Sequence, residues 1–339
     1  MAPFFPNDIF TDPRITHQSA TLNGHNYHYL LGVPKEGVFS HTVFLIHGWP
    51  DISAGWRFQI PALLELGCRV VCPDLMGYGS TDAPRVPPES LSLYTFKRAA
   101  DDIEELARQL GAKTIVLGGH DWGGMVVWRT VAWKPQLVTH VFSVCTAYTP
   151  PSKNYVSTAD IVKKVPQFGY QLHLASPEPE ARITSRNDIR QFLKGVYNGR
   201  GPSGERVFSP EKGVLFENLP KIGETRLLSE QELEYYTDQY HRNGLHGPFN
   251  WYRTREANWR DELELQTTKI TIPSLFVQAQ RDVVLSPALA AGMEQYVSDL
   301  TRREVDATHW ALWERPEHIN RILREWFTDR VLGGGQSKL

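Results

Sequence analysis

The run Thr114-Ile115-Val116-Leu117 leads directly into Gly118-Gly119-His120-Asp121-Trp122-Gly123-Gly124, and Met125, Val126, Trp128 and Val131 come next at helical spacing. An apolar strand, a sharp turn of the pattern Gly-x-residue-x-Gly and a helix make the context of a nucleophile elbow. Small residues at 119 and 123 let strand and helix approach and hold the residue between them in strained geometry. A phosphate-cradling loop would read Gly-x-Gly-x-x-Gly or Gly-x4-Gly-Lys-Ser/Thr, and neither pattern is present. An aspartate that merely caps the helix would not need glycines on both sides.

The rest of the chain extends the same rhythm. Thr42–Ile46, Arg69–Cys72, Val138–Val144 and Ser274–Val277 are further apolar runs that read as buried, parallel-type strands. Helical patterns separate them. In the clearest, Phe96, Ala99, Ile103, Leu106 and Leu110 share one face, Asp101, Glu104, Glu105 and Arg108 the other, and Gly111 stops it. Asn23-Gly24 within Thr21–Val33 predicts an antiparallel hairpin at the sheet edge. The alternation predicts an α/β fold: a mostly parallel sheet flanked by helices on both faces. It lapses after the sixth strand. From 148 to 268 no strong strand pattern occurs, eight of the 13 tyrosines are found, and Ser229–Gly244 reads as a helix. The expected organisation is therefore a discontinuous core over 1–147 and 269–332, a helical lid over 148–268, and a flexible tail over 333–339.

Composition narrows the function. The 339 residues carry 36 basic and 38 acidic side chains, a balance that argues against nucleic acid or an anionic membrane as the main partner. Cys68, Cys72 and Cys145 are too few for a disulfide framework and lack metal-ligand spacing, so buried, reduced thiols and no metal are expected. Met1–Phe10 carries Pro3, Pro6 and Asp8 and no basic region of the kind that opens a secretion signal, and no apolar run is long enough to insert in a membrane. The C-terminal Ser337-Lys338-Leu339 comes after Gly333-Gly334-Gly335 and matches the peroxisomal address, which predicts recognition by the peroxisomal import receptor and residence in the peroxisome, the cytoplasm or both.

The residue at the elbow selects the reaction. A carboxylate is ionised at neutral pH without help from a base. Attack on an ester or amide would give a mixed anhydride, which is uphill. Attack on an sp³ carbon with a leaving group gives a stable alkyl ester, so Asp121 points to epoxides or alkyl halides. The enzyme must then hydrolyse its own ester with an activated water. The partners occur in the order nucleophile, acid, histidine: Asp282 after Ser274–Val277, then His309 in a loop before the final helix. Asp306 is the runner-up acid. The loop His47-Gly48-Trp49-Pro50 after an earlier strand supplies one oxyanion-hole amide, Trp49, and the residue after the nucleophile supplies the other, Trp122. His47 itself is expected to make a structural hydrogen bond.

These motifs, with Gly77-Tyr78-Gly79-Ser80, Arg281-Asp282 and Thr308-His309-Trp310, resemble those of the soluble epoxide hydrolases in the α/β-hydrolase superfamily, over nearly the whole chain. The resemblance implies conversion of a small apolar epoxide and water to a vicinal diol, without a cofactor. It also implies two lid tyrosines that protonate the epoxide oxygen. The surroundings Gln167-Phe168-Gly169-Tyr170-Gln171-Leu172 and Gly247-Pro248-Phe249-Asn250-Trp251-Tyr252-Arg253 match theirs, which marks Tyr170 and Tyr252. An epoxide opens to an alkoxide that needs a proton, whereas a halide does not. Haloalkane dehalogenases share the elbow and are the alternative, but they commonly carry Asn where Trp49 stands. A non-catalytic receptor of this fold is the more distant alternative. The sequence lacks the phosphatase-like N-terminal domain of the vertebrate enzymes, so a stand-alone monomer is expected.

Overall fold

Apolar runs that carry no polar alternation can be strands only where both faces are covered, and that is how they fold. A computed structural model describes residues 11–333; the tail with Ser337-Lys338-Leu339 lies outside the described residues. The sheet is built from β1 (Ile15–Leu22), β2 (His25–Gly32), β3 (His41–Ile46), β4 (Cys68–Pro73), β5 (Ile115–His120), β6 (Val138–Val144), β9 (Ser274–Ala279) and β10 (Leu300–Val305). Its order is β1-β2-β4-β3-β5-β6-β9-β10. Pairing is parallel from β4 through β10, and β1 and β2 run antiparallel at the edge. This is the α/β-hydrolase architecture. Every residue of β5 and β9 is buried, as their sequences require.

The hairpin turns on Asn23 and Gly24, both at positive φ (46° and 90°), as a two-residue turn between right-twisted strands demands. It begins earlier than the sequence suggests, at Ile15, because the solvent-facing half of β1 is polar and shows no apolar run. The helix Phe96–Gln109 buries Phe96, Ala99, Ala100, Ile103 and Leu106. It gives way to Gly111 at φ 68°.

The chain divides into two compact units. The sheet unit comprises, among the described residues, 11–74, 99–151 and 265–333. The helical unit comprises 75–98 and 152–264, so it includes a stretch that the sequence alone places with the core. In the helical unit, Arg186–Val196 and Glu230–Asn243 each start with a capping box, Ser185 with Asp188 and Ser229 with Glu232. Arg186 and Arg190 bridge these two helices to Glu230, Glu234 and Asp238. The unit also holds two strands of two residues, β7 (Phe208–Ser209) and β8 (Gly213–Val214). No helix among the described residues is long and apolar enough to cross a membrane.

Candidate active site

Asp121 sits between β5 and the helix Trp122–Trp133 with φ 54° and ψ −125°. A non-glycine residue there stores about 1–3 kcal/mol, which the surroundings must offset. They do so by close packing. A side chain at Gly123 would run into the carbonyl oxygens of Ile46 and His47, and one at Gly48 would run into Asp121 itself. The Asp121 carbonyl oxygen accepts from Thr146 Oγ1 at 2.8 Å and from the Gly124 amide at 2.9 Å. Although Asp121 occupies the cap position of the helix, its side chain makes no capping bond.

That side chain faces the loop after β3 instead. The Trp49 amide donates to Asp121 Oδ1 at 2.7 Å, and the Trp122 amide also bonds the carboxylate. The two amides named from the sequence therefore converge on one group. His47 is fully buried behind this loop and its Nδ1 is 2.8 Å from the Gly48 carbonyl oxygen, the structural hydrogen bond expected of it.

β9 and β10 bring in the remaining partners. Asp282 comes after β9, where its Oδ1 accepts from the amides of Val284 and Leu285, both at 2.9 Å. Its Oδ2 lies 2.8 Å from His309 Nδ1. The other ring nitrogen, Nε2, is 3.6 Å from Asp121 Oδ2. Asp306 is exposed and pairs with Arg281 at 2.6 Å, so the runner-up acid is engaged elsewhere.

Electrostatics give the three groups different characters. Burial pushes the Asp121 carboxyl above its ordinary value, and the His309 charge and the two amides offset this only in part. Burial acts the same way on Asp282, but there the His309 charge and the hydrogen bonds prevail and hold it below the usual carboxylate range. Burial disfavours the His309 imidazolium, yet Asp282, Asp121 and Asp51 outweigh it and raise His309 to about 9.

Four supports were not read from the sequence. His120 Nε2 donates to the His309 carbonyl oxygen at 2.9 Å and its ring packs on that of His309. Burial drives His120 down to about 3, which keeps it neutral. Its place inside the elbow motif was the available signal. Thr146 has none, because its role depends on a fold-back from β6. Glu314 takes both the amide and the hydroxyl of Thr308, at 2.8 and 2.6 Å, and so pins the loop beside His309. Cys145, at φ 68°, lies 3.6 Å from the His309 carbonyl oxygen through Sγ. His120, Cys145 and His309 have donor atoms within 4.8 Å of one another. A cation there would have to draw His309 out of its pairing with Asp282 and Asp121.

Within the helical unit, Tyr170 lies on the helix Gly169–Ala175 and Tyr252 on the helix His246–Arg253. Both are buried, and their rings meet edge to face with centroids 5.8 Å apart. Phe208 packs against Tyr170 as well, at 5.3 Å. Arg253 fixes the helix behind Tyr252 by bonding the Ala175 carbonyl oxygen and Asn250 Oδ1, at 3.0 and 2.8 Å.

Residues 41–316 match the family model described as the alpha/beta hydrolase fold. The chain is 38% identical to an epoxide hydrolase of Neurospora crassa, srdG, over 93% of this chain and 96% of that one. It is 30% identical to epoxide hydrolase A of Mycobacterium tuberculosis, over 85% of this chain and 90% of the other. It is 36% identical to bifunctional epoxide hydrolase 2 of Sus scrofa, of which it spans about half, 51%. Among solved structures, epoxide hydrolase A of Mycobacterium thermoresistibile superposes with a TM-score of 0.79 at 26% identity, covering 93% of this chain and 98% of that one. An aspartate elbow with a paired acid and histidine, a matching fold and relatives of this kind lead to one conclusion: the chain belongs to the epoxide hydrolases of the α/β-hydrolase superfamily.

Proposed function

We propose that the protein converts epoxides to vicinal diols in two steps, through an ester on Asp121. Asp121 Oδ2 attacks an epoxide carbon from behind while Tyr170 and Tyr252 hydrogen-bond the epoxide oxygen and protonate the leaving alkoxide. The hydroxyalkyl ester of Asp121 forms as the C–O bond breaks. His309, oriented by Asp282, then takes a proton from a water that attacks the ester carbonyl carbon. The oxyanion forms on Oδ1, which already accepts from the Trp49 amide, with the Trp122 amide as the second donor. Collapse of this intermediate expels the alkoxide, which takes the proton held by His309, so that the diol is released and the carboxylate and neutral imidazole are restored.

The carrying observation is the division of labour on Asp121: Oδ1 accepts from the Trp49 amide at 2.7 Å and Oδ2 faces His309. Support for the tyrosines comes from their edge-to-face pairing and from the sequence around them. The electrostatics suit the sequence of steps. His309 is held at about 9 partly by the Asp121 charge. Esterification removes that charge, so the pKa of His309 falls and a neutral base appears once there is an ester to hydrolyse. The acid limb of ester decay should therefore lie below the pKa of His309 in the free enzyme, which pH-dependent single-turnover decay and a proton titration by NMR would compare. Equal values would remove this coupling.

The deciding experiment is one turnover in ¹⁸O-water. Label should enter the Asp121 carboxylate first and leave the diol unlabelled. Label found first in the diol would mean that water attacks the epoxide directly, with Asp121 as a base. A bromoalkane assayed beside a styrene-type epoxide tests the dehalogenase alternative. The protein is further proposed to reach the peroxisome through Ser337-Lys338-Leu339. A fluorescent fusion ending in this tail should be punctate and should turn diffuse when Leu339 is deleted; a diffuse intact fusion would remove the idea.

A further inference from the structure

At the end of the sheet opposite the catalytic loops, a cavity of about 210 Å³ opens beside the first residues of β3, β4 and β5. The catalytic residues stand at the C-terminal ends of β3, β5 and β9, so the two places share strands but no residues. Its lining includes His41, Thr42, Arg69, Lys113 and Thr139 beside apolar residues such as Phe39 and Leu110. No aspartate or glutamate is among its lining residues. Arg69 donates to Thr42 Oγ1 through Nε and Nη2, at 3.2 and 2.9 Å, and to the Leu110 carbonyl oxygen at 3.0 Å, and it lies over the Phe39 ring at 4.4 Å. Among the described residues it meets no carboxylate, and two of its five N–H donors remain for a ligand. Burial pulls its pKa down from the ordinary value, offset only in part by Tyr29. Lys113 is exposed and forms no ion pair among the described residues. Burial likewise lowers His41, which leaves it a neutral hydrogen-bonding ring on the same wall.

A guanidinium held rigidly in place, a free ammonium, hydroxyls and an imidazole around a polar cavity with no acid make an environment complementary to an anion. We propose that this cavity binds a small tetrahedral oxyanion of the phosphate class, with Arg69 and Lys113 as its charged contacts and Thr42 and His41 as hydrogen-bonding partners. Arg69 is preorganised by Thr42 and Leu110, so little side-chain entropy is lost on binding. The site is separate from epoxide turnover, and its ligand is not a substrate.

The test is calorimetric titration of the full chain with inorganic phosphate and with glycerol 3-phosphate, at constant ionic strength. The expected result is one-to-one binding that Lys113→Gln weakens about tenfold and Arg69→Gln more strongly, on the scale of a lost charge-assisted contact. Lys113 is exposed, so its variant should fold even if Arg69→Gln does not. Tighter binding of the monoester points to a phosphorylated metabolite, and equal or weaker binding to free phosphate. Phosphate should leave KM for an epoxide unchanged. Absence of binding, binding indifferent to Lys113→Gln, or competition with epoxide would each overturn the proposal.

Discussion

The sheet unit and the helical unit place the side chains of the candidate site by different means. In the sheet unit each group stands at the end of a strand: Trp49 after β3, Asp121 after β5 and Asp282 after β9. Strand pairing fixes where the backbone ends, and a tight turn aims the side chain placed there. In the helical unit Tyr170 and Tyr252 come from two short helices joined by side-chain packing and a few bonds such as Arg253 to Ala175. Backbone registry is discrete and unforgiving. Helix packing is continuous and can be retuned residue by residue. The first suits the part of the chemistry that all substrates share, and the second suits the part that must adapt to a particular one.

That contrast ranks the expected effects of substitution. Asp121→Asn should be the most damaging, lowering epoxide turnover on the order of 10⁴-fold or more, because the nucleophile is removed from a site that nothing else can fill. Turnover within tenfold of the unaltered enzyme, measured on freshly purified protein, would contradict the covalent route. His309→Gln comes next. Turnover should fall about 10³-fold while one equivalent of epoxide is still consumed, and intact-protein mass spectrometry should find the protein heavier by the substrate. A variant that loses consumption as well would place His309 in the first step.

The helical unit should yield more gradually. Tyr170→Phe and Tyr252→Phe should each slow ring opening on the order of 10²-fold, and together nearly abolish it, as read by single-turnover quench. If both single variants open the ring at the unaltered rate, these tyrosines only pack, and the dehalogenase alternative revives. The smallest effect is expected from Thr146→Val, which removes the 2.8 Å bond to the Asp121 carbonyl oxygen. About one net hydrogen bond is lost, roughly 1 kcal/mol, so thermal stability should drop by a few degrees and kcat by less than tenfold. A larger fall in kcat than in stability would show that the bond aims the nucleophile as well as holding the turn.

The same contrast explains what could be read from the sequence. Asp121, Trp49, Trp122, Asp282 and His309 were legible because local backbone demands leave marks: glycines where strands and helices touch, an acid at a strand end, a histidine before the last helix. Tyr170 and Tyr252 were legible only through the resemblance of their neighbours, since eight tyrosines populate that part of the chain. The affiliation of 75–98 with the helical unit was not legible at all. Its ties are contacts between distant residues, among them Trp251 Nε1 to the Met76 carbonyl oxygen, the Val86 amide to His246 Nε2, Asn243 to the carbonyl oxygens of Gly79 and Thr81, and Tyr78 packed on Tyr240 and Trp251. No periodicity announces such contacts. Thr146 and Glu314 escaped notice for the same reason.

The interleaving of the two units bears on the order in which a growing chain can become an enzyme. The helical unit is complete once residue 264 has been made, whereas the sheet unit still waits for 265–333. Asp121 and the Trp49 and Trp122 amides are then present, but β9, β10, Asp282 and His309 are still to come. On the covalent route proposed above, an elbow that closed early on the ribosome would hold a nucleophile able to take up an epoxide and unable to release it. The nascent protein would be consumed by its own substrate.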